Sequence, residues 1–250
     1  MAFIYKKDKM GISGCADVNF LFNDGKFYIM DNHLCAIWCW NQKIKTKCRY
    51  GIFHIDRHYD LLNNLSDDFL IQNHDNLESL AFDYFIQSIG TKKIRYDNYI
   101  DAFKRSKPNC LEVAYYATHK NGIDWRDTSM KDISDDAKDV DIWDLPTNVN
   151  YWMSDNVRWI LNIDIDFFFQ DMGGSDSIYQ FLTDKYIVNL CRNIRKVLPL
   201  IEVITIALSP EFCGGWSNSY KILKKMSEEL DFNLPFYLKN IDSQTLIVDI

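Results

Sequence analysis

Histidine and aspartate residues recur within one short stretch, His54 to Asp60, which reads H-I-D-R-H-Y-D. The stretch follows an apolar run, Tyr50 to Phe53, that has the pattern of a buried β-strand. A turn at the end of this strand brings His58 and Asp60 back toward Asp56. Imidazole and carboxylate groups around one point suit a divalent metal ion. Polar residues that cap a strand end give the same pattern, so the stretch alone leaves both interpretations open.

Two other apolar runs also carry polar residues at or near their ends. The run Trp159 to Phe169 contains Asp164 and Asp166, two residues apart and therefore on one face of a strand. Two buried carboxylates on one face repel each other and are costly to desolvate, and a bound cation removes both penalties. The third run ends in D-N-H at His33. The three strand ends supply two histidines and four aspartates, enough for two metal ions that share bridging carboxylates.

Alternating strand and helix patterns must position these residues. They predict an α/β fold with three α/β/α layers and a mostly parallel sheet, in which ligands bind beyond the carboxyl ends of the strands. Residues 1–250 are predicted to form a single domain with an N-terminal hairpin at about 17–31, turned at Asp24-Gly25. The other predicted elements are helices at Leu34–Lys45, His74–Ile89, Tyr96–Lys107, Ser177–Leu198 and Ser219–Leu230, and strands at Leu111–Tyr116, Val203–Leu208 and Thr245–Val248.

Two segments show no clear periodicity. Leu61 to Asn73 is polar and is predicted to be irregular. Residues 126–150 are predicted to form an irregular acidic segment with seven aspartates. The negative charge of this segment has two interpretations: it attracts a cationic partner over a long range, or the segment is simply a solvated loop. Trp143 and Trp152 slightly favour attraction, because arginine stacks on aromatic faces.

Composition narrows the class of protein. The net charge of -7 disfavours nucleic acid as a partner and suits a cationic one. No apolar run is long enough to cross a membrane, and the N-terminus lacks the apolar core of a signal peptide. The odd number of cysteines, seven, fits reduced thiols better than a disulfide framework. These features predict a cytoplasmic enzyme with no membrane or nucleic-acid partner and leave its oligomeric state open.

The order and spacing of these motifs resemble the ureohydrolase superfamily, that is, arginase and its relatives. The resemblance rests on His33, the D-x-H-x-D pattern at Asp56 to Asp60 and the D-x-D pattern at Asp164 and Asp166. Two longer motifs are similar to those of the peptide arginases: D-N-H-x-x-A-x-x-C-W at Asp31 to Trp40 and A-L-S-P-E-F-C-G-G-W at Ala207 to Trp216. Those enzymes convert arginine side chains in ribosomally made peptides to ornithine. The resemblance covers about Phe27 to Trp216.

The resemblance implies a cofactor of two Mn²⁺ ions and a set of residue roles. One ion is held by His33, Asp56, Asp60 and Asp164, and the other by Asp56, His58, Asp164 and Asp166. Asp60 also orients the attacking water. Glu211 takes the place of the carboxylate that holds the guanidinium, and His74 that of a histidine that shuttles protons. Each of these two has a plainer interpretation, Glu211 as a helix-start carboxylate and His74 as an exposed helix-start histidine. His54 and Asp31 are interpreted as partners that orient ligands.

One departure from the superfamily concerns the substrate. Enzymes that act on free arginine carry a serine- and asparagine-rich loop after the metal motif, which holds the α-amino and α-carboxylate groups. Here that region, Leu61 to Asn73, reads L-L-N-N-L-S-D-D-F-L-I-Q-N, and only Asn63, Asn64, Ser66 and Asn73 offer comparable groups. The preferred prediction is therefore a hydrolase of arginine in a precursor peptide, with ornithine and urea as products. The alternatives are a hydrolase of free arginine, agmatine or an acylated amine, and a non-catalytic domain that binds basic peptides.

Overall fold

A central β-sheet organises the part of the chain that the computed structural model describes, which comprises residues 1–45, 48–132, 137–153, 157–173 and 178–234. The described strands are β1 (Ala2–Lys6), β2 (Phe20–Asp24), β3 (Phe27–Met30), β4 (Tyr50–Ile55), β5 (Leu111–Ala117), β6 (Ala137–Asp139), β7 (Arg158–Asp164), β8 (Phe169–Asp171), β9 (Ile178–Gln180) and β10 (Ile201–Ala207). Eight of them form one sheet in the order β1-β2-β3-β10-β7-β4-β5-β6, and β8 pairs with β9 in a small second sheet.

The sheet is mostly parallel. Every neighbouring pair from β3 to β6 is parallel. The antiparallel part is at one edge, where β2 and β3 form a hairpin and β1 pairs with β2. Because parallel strands point the same way, the carboxyl ends of β3, β10, β7 and β4 lie side by side at one edge of the sheet.

Helices cover both faces of the sheet. They are α1 (Ala36–Lys43), α2 (Asp67–Gln72), α3 (His74–Glu78), α4 (Phe82–Gly90), α5 (Tyr99–Ser106), α6 (Leu145–Trp152), α7 (Asp184–Val197) and α8 (Trp216–Leu230). One apolar core joins the sheet to α6, α7 and α8, and the other joins it to α1 through α5. Along β7, Leu161 and Ile163 face the first core and Ile160 faces the second, as the two-residue period of a strand requires. The predicted three-layer α/β/α fold with a mostly parallel sheet is confirmed.

Several local predictions differ from the structure. The long helix predicted at Ser177–Leu198 is wrong in its first part: Ile178 pairs with Asp171 in the β8–β9 ladder. The helix begins only at Asp184, where the side chain of Thr183 caps it by accepting the N–H of Tyr186. The sequence pattern missed this boundary because Ile178, like the apolar residues of α7, fits a helical stripe.

The two segments without periodicity contain regular elements. In Leu61–Asn73, the hydroxyl of Ser66 accepts the N–H of Phe69 and begins α2. Within residues 126–150, β6 extends the sheet and α6 packs against α7. These elements are short, and tertiary contacts rather than periodicity stabilise them.

The helix predicted at His74–Ile89 is interrupted between α3 and α4. The strand predicted at Thr245–Val248 lies outside the described residues. The longest described helix, α8, has 15 residues, and no described helix is both long and apolar enough to cross a membrane.

Candidate metal centre

The residues singled out in the sequence come together at the carboxyl edge of the sheet. His33 begins the short turn after β3, Asp56 directly follows β4, and Asp164 is the last residue of β7. Ser209 follows β10, and its hydroxyl donates to Asp164 Oδ2 at 2.6 Å. The four strands that meet at this edge therefore each contribute a polar side chain to one place.

The first group surrounds His33. Its Nδ1 lies 2.8 Å from Asp164 Oδ2 and 3.2 Å from Asp56 Oδ2. Its Nε2 lies 3.3 Å from Asp60 Oδ2. All four side chains are at most 4% exposed, so their charges are balanced inside the protein rather than by water.

The second group surrounds His58. Its Nδ1 lies 3.4 Å from Asp56 Oδ1 and 3.2 Å from Asp166 Oδ2. The His58 side chain is 28% exposed, so this group is nearer to solvent than the first. Asp56 belongs to both groups, and each of its two oxygens faces a different histidine.

The residues present fit a pair of divalent cations. The sets His33/Asp56/Asp164 and Asp56/His58/Asp166 each bring three ligand atoms within 4.8 Å of one another. Four buried atoms of the two groups make no aligned hydrogen bond: His33 Nδ1, Asp56 Oδ2, Asp60 Oδ2 and Asp166 Oδ2. Buried polar atoms are normally paired, and a cation would satisfy these four. Carboxylate oxygens with imidazole nitrogens form a hard donor set that suits Mn²⁺.

The electrostatics of the carboxylates show how much this cluster favours positive charge. Burial and the charge of Asp56 raise the pKa of Asp60 well above its usual value. Burial and the charge of Asp164 raise the pKa of Asp166 to about 7. Burial also acts to raise the pKa of Asp56, but hydrogen bonds with His33 and His58 outweigh it and hold the value well below the usual range. Asp60 and Asp166 therefore retain protons more readily than ordinary carboxylates, and a bound cation would replace those protons.

The two histidines respond in the opposite direction. Burial lowers the pKa of His33, but the charges of Asp60 and Asp164 raise it more, so the net shift is well upward. For His58, burial is again outweighed, here by hydrogen bonds to Asp166 and Asp56, and the pKa rises to about 11. In the absence of a metal, protons on the histidines thus take the place of the cation.

Backbone N–H groups and the local backbone conformation orient these carboxylates. Asp56 Oδ1 accepts the N–H of His58 at 2.7 Å, and Asp164 Oδ1 accepts the N–H of Asp166 at 2.9 Å. Asp60 and Ser209 both have positive φ, at 54° and 40°. Such a backbone is strained for a residue other than glycine, and this kind of strain collects at functional sites.

A ladder of buried polar side chains lies next to the loop that follows β4, residues 56–60, which we call the metal loop. The adjacent residues Thr205, Asn162 and His54 are in register on β10, β7 and β4. Thr205 donates to Asn162 Oδ1 at 2.7 Å, and the Asn162 amide donates to His54 Nδ1 at 2.9 Å. His54 Nε2 then donates to the His58 carbonyl at 2.9 Å. Because both of its ring nitrogens are engaged, His54 orients the loop in this structure.

Glu211 lies beside the centre in the short turn after Ser209. Its carboxylate accepts the N–H of Ser13. Burial and the charge of Asp31 raise the pKa of Glu211, although hydrogen bonds from the backbone oppose them. Glu211 also lines a cleft of about 660 Å³. Burial raises the pKa of the nearby Cys213 thiol well above its usual value, and the charges of Asp166, Asp164 and Glu211 add to this shift.

The structure does not bring His74 to this site. Its side chain is 50% exposed, at the start of α3, where it contacts Asp75 and Glu78. It lines a surface hollow with Cys110, whose carbonyl accepts the N–H of Tyr50 at the amino end of β4. The metal ligands follow the opposite end of the same strand. The structure therefore places His74 away from the candidate metal centre, in a position that fits the plainer interpretation as an exposed helix-start histidine.

Other side chains at the site were not identified from the sequence. The ring of Tyr96 lies 6.2 Å from that of His33 and 5.8 Å from that of Phe212, which is itself 5.9 Å from His58. These two half-buried aromatic rings span the space between the two histidines. Phe212 and Ser209 lie in the A-L-S-P-E-F motif, which could have indicated that they are at the site. Nothing in the sequence around Tyr96 indicates its position.

Comparisons with known proteins find a likeness among solved structures. No family model and no curated protein matches the sequence. Among solved structures, the chain is similar to an arginase from Entamoeba histolytica in complex with L-ornithine. The identity is 15% and the TM-score 0.48, over 81% of this chain and 68% of that chain. A likeness at this level leaves the family and the activity open, so the function is inferred from the geometry of the site.

Proposed function

We propose that this protein is a dimanganese hydrolase that converts arginine side chains in a peptide to ornithine and releases urea. The observation that carries the proposal is the pair of histidine–aspartate groups that share Asp56, with four unpaired buried atoms between them. Two bound ions would supply Lewis acidity and would lower the pKa of water enough to make it a nucleophile at neutral pH. Guanidinium is a poor electrophile that stays protonated, so its hydrolysis needs such a nucleophile.

The chain's own residues would hold and orient the reactants. His33, Asp56, Asp60 and Asp164 would bind one ion, and Asp56, His58, Asp164 and Asp166 the other. Asp60, whose strained backbone fixes its carboxylate, would orient the attacking water. Glu211, at the edge of the cleft, would hold the guanidinium through charge-assisted hydrogen bonds.

Contacts in the loop after the metal motif support a peptide rather than free arginine. Asn63 accepts from Arg105, and Asn64 accepts from Asn98. Ser66 caps α2, and Asn73 donates to Phe69. Each of these four side chains thus already has one partner within the protein, which leaves fewer groups to hold an α-amino or α-carboxylate group.

The lining of the Glu211 cleft supports the same substrate. Of the described residues that line it, Glu211 is the one with an ionisable side chain; the rest are Ile12, Ile178, Pro210, Gly214, Gly215 and Asn218. A free amino acid would bring two further charges to this cleft, and the lining offers neither of them an oppositely charged partner apart from Glu211. A residue within a peptide carries neutral amides at those positions.

A urea assay with matched substrates tests the proposal. The purified protein, loaded with Mn²⁺, is given free arginine, agmatine and a short peptide with one internal arginine. We expect urea from the peptide, with a product mass that corresponds to ornithine, and much less from the two small substrates. Co-expression with a candidate precursor peptide, followed by mass spectrometry, identifies the natural partner.

Two results would contradict the proposal. Faster urea release from free arginine or agmatine would favour a small-molecule hydrolase. Binding of the peptide without urea release from any substrate, in protein that holds no metal, would favour a non-catalytic binding domain. Elemental analysis accompanies the assay, because a dimetal hydrolase holds about two metal equivalents.

A further inference from the structure

A buried carboxylate holds the N-terminal loop, here defined as Gly11–Asn19, between β1 and β2. Asp31 is 0% exposed. It accepts the backbone N–H groups of Asn19 and Phe20 at 2.9 Å and the side-chain amide of Asn19 at 2.8 Å, and it also accepts the hydroxyl of Ser13. A buried carboxylate with this many donors fixes the backbone around it, because each lost bond would leave a buried charge underpaired.

Two asparagines close the N-terminal loop. The Asn19 side chain donates to the Gly11 carbonyl at 3.1 Å and accepts the Gly11 N–H at 2.9 Å. The Asn32 amide donates to the carbonyls of Gly14 and Asp17, both at 3.2 Å. Asp31, Asn32 and the ligand His33 are consecutive, so the D-N-H motif attaches this loop directly to the metal centre.

The far side of the N-terminal loop faces the cleft. The N–H of Ser13 donates to the Glu211 carboxylate, and the carbonyl of Cys15 accepts the N–H of Tyr96 at 3.2 Å. Ile12 lines the Glu211 cleft, although its side chain is 66% exposed. The loop therefore contacts both Glu211 and the backbone of Tyr96, whose ring lies beside His33. It also exposes the apolar side chain of Ile12 to solvent at the cleft.

We propose that the N-terminal loop is the outer wall of the substrate cleft, and that Ile12 contacts the peptide next to the arginine that is hydrolysed. This inference rests on the proposed function and adds a specificity-determining residue to it. The lining of the same cleft also contains Gly214 and Gly215, both with positive φ. These two glycines place no side chain in the cleft, and Ile12 offers apolar contact without a charge.

Opposite charges at Ile12 test the inference. A peptide with one ornithine, the product of the proposed reaction, is titrated into Mn²⁺-loaded protein at low salt, and the Kd is measured by fluorescence anisotropy. Ile12→Lys places a positive charge beside the cationic side chain and should raise the Kd about threefold, whereas Ile12→Glu should lower it about threefold, on the Coulomb energy of unit charges roughly 7 Å apart in water. Because the product is not turned over, this measurement is independent of the rate of hydrolysis.

Ile71 provides the matched control. It is 73% exposed on α2, away from the lining of the cleft, so Ile71→Lys and Ile71→Glu make the same change in net charge elsewhere. We expect the Ile71 variants to bind the peptide like the unchanged protein, with equal metal content in all five proteins.

The outcomes separate the inference from the proposed function. If the unchanged protein releases urea from the peptide but the Ile12 and Ile71 variants share one Kd, the inference fails alone. If no urea is released but the two Ile12 variants shift the Kd in opposite directions, the proposed function fails and the wall of a peptide cleft stands. If the unchanged protein does not bind the peptide, the inference is overturned as well.

Discussion

Asp56 sets the layout of the metal centre at the scale of single residues. Its Oδ1 faces His58 and its Oδ2 faces His33, at 3.4 and 3.2 Å. Asp164 faces the first group through one oxygen, and its other oxygen accepts the N–H of Asp166. A carboxylate whose two oxygens point to different histidines is arranged to bridge two ions.

Removal of a bridging carboxylate should therefore affect both ions. We expect Asp56→Ala and Asp164→Ala to lose nearly all bound manganese, because the remaining ligands cannot hold two cations close together. Asp166→Ala should weaken mainly the ion near His58. Elemental analysis and calorimetric titration with Mn²⁺ measure this, with the exposed residue Asp75, as Asp75→Ala, for the control. Full occupancy in Asp56→Ala would overturn the bridging assignment.

A change at Glu211 tests whether this carboxylate holds the substrate rather than a metal ion. We expect Glu211→Gln to keep both ions but to release urea from a peptide about 10- to 150-fold more slowly, since a charge-assisted hydrogen bond is worth roughly 1.5–3 kcal/mol. The exposed Glu228 on α8, as Glu228→Gln, is the matched control. A Glu211→Gln rate near that of this control would show that another group holds the guanidinium.

The crowded carboxylates also predict how pH acts on the protein. The pKa of Asp166 is raised to about 7 in the folded protein, against roughly 3.9 in an unfolded chain. Between these values the folded, metal-free protein binds more protons than the unfolded one, so its stability falls as pH rises. His58, with its pKa raised to about 11, acts in the same direction above the ordinary histidine value.

Metal binding has the opposite dependence, because manganese competes with those protons. We expect the Tm difference between manganese-loaded and metal-free protein to grow from about pH 5.5 to about pH 8, a range that includes the raised pKa of Asp166. Differential scanning fluorimetry measures this difference. A constant difference across this range would mean that protons and metal do not share these ligands.

At the scale of elements, the close packing of β4 against β7 sets the position of the metal loop. Gly51 and Trp159 are cross-strand partners, and a Cβ on Gly51 would lie 2.5 Å from the Trp159 ring. Trp159 in turn stacks on Tyr115 at 5.6 Å, so it has little room to move. Gly51 is therefore required here for space, and not for an unusual φ.

We expect Gly51→Ala to lower the free energy of unfolding by about 1–3 kcal/mol through overpacking. Gly90→Ala is the control, because a Cβ there meets nothing within 4 Å. Urea denaturation of both variants measures the difference. A second change, Trp159→Phe, should recover part of the loss in Gly51→Ala. If Gly51→Ala is as stable as Gly90→Ala, the strands separate more easily than this packing implies.

At the scale of the whole molecule, the net charge of -7 suits a cationic substrate. Of the acidic segment, Asp139 is engaged with Tyr59 and Arg126, whereas the side chains of Asp132, Asp135 and Asp136 lie outside the described part of the structure. The exposed Trp143 lies nearby, in a hollow lined also by Asp139 and Asp141. Long-range attraction of an arginine-bearing peptide by this segment remains a prediction.

Neutralisation of charge tests that attraction. We expect the triple change of Asp132, Asp135 and Asp136 to asparagine to raise the KM for a peptide at low salt, with kcat and metal content unchanged. The effect should shrink as salt is added, because screening acts on association. The control changes the exposed Asp68, Asp75 and Asp83 to asparagine, which alters the net charge equally. Equal KM values for the two triple variants would favour the solvated-loop interpretation.

The fold class and the main candidate metal-binding motifs are predictable from the sequence alone. The alternation of β4, α5 and β5 is visible in its periodicity, and the polar ends of β3, β4 and β7 are short local patterns that need no knowledge of distant contacts. For the same reason the turn at Asp24-Gly25 was identified, since turn chemistry depends on adjacent residues.

Which of these residues meet depends on contacts between distant parts of the chain. Two residues separated by one helix in the chain can lie at opposite ends of a strand, as His74 and Asp60 do, and sequence spacing does not distinguish the two ends. The engagement of both His54 nitrogens depends on the register of three strands, and the contact of Ser13 with Glu211 spans 198 positions. Such contacts follow from the packing of separate elements, which local periodicity does not encode.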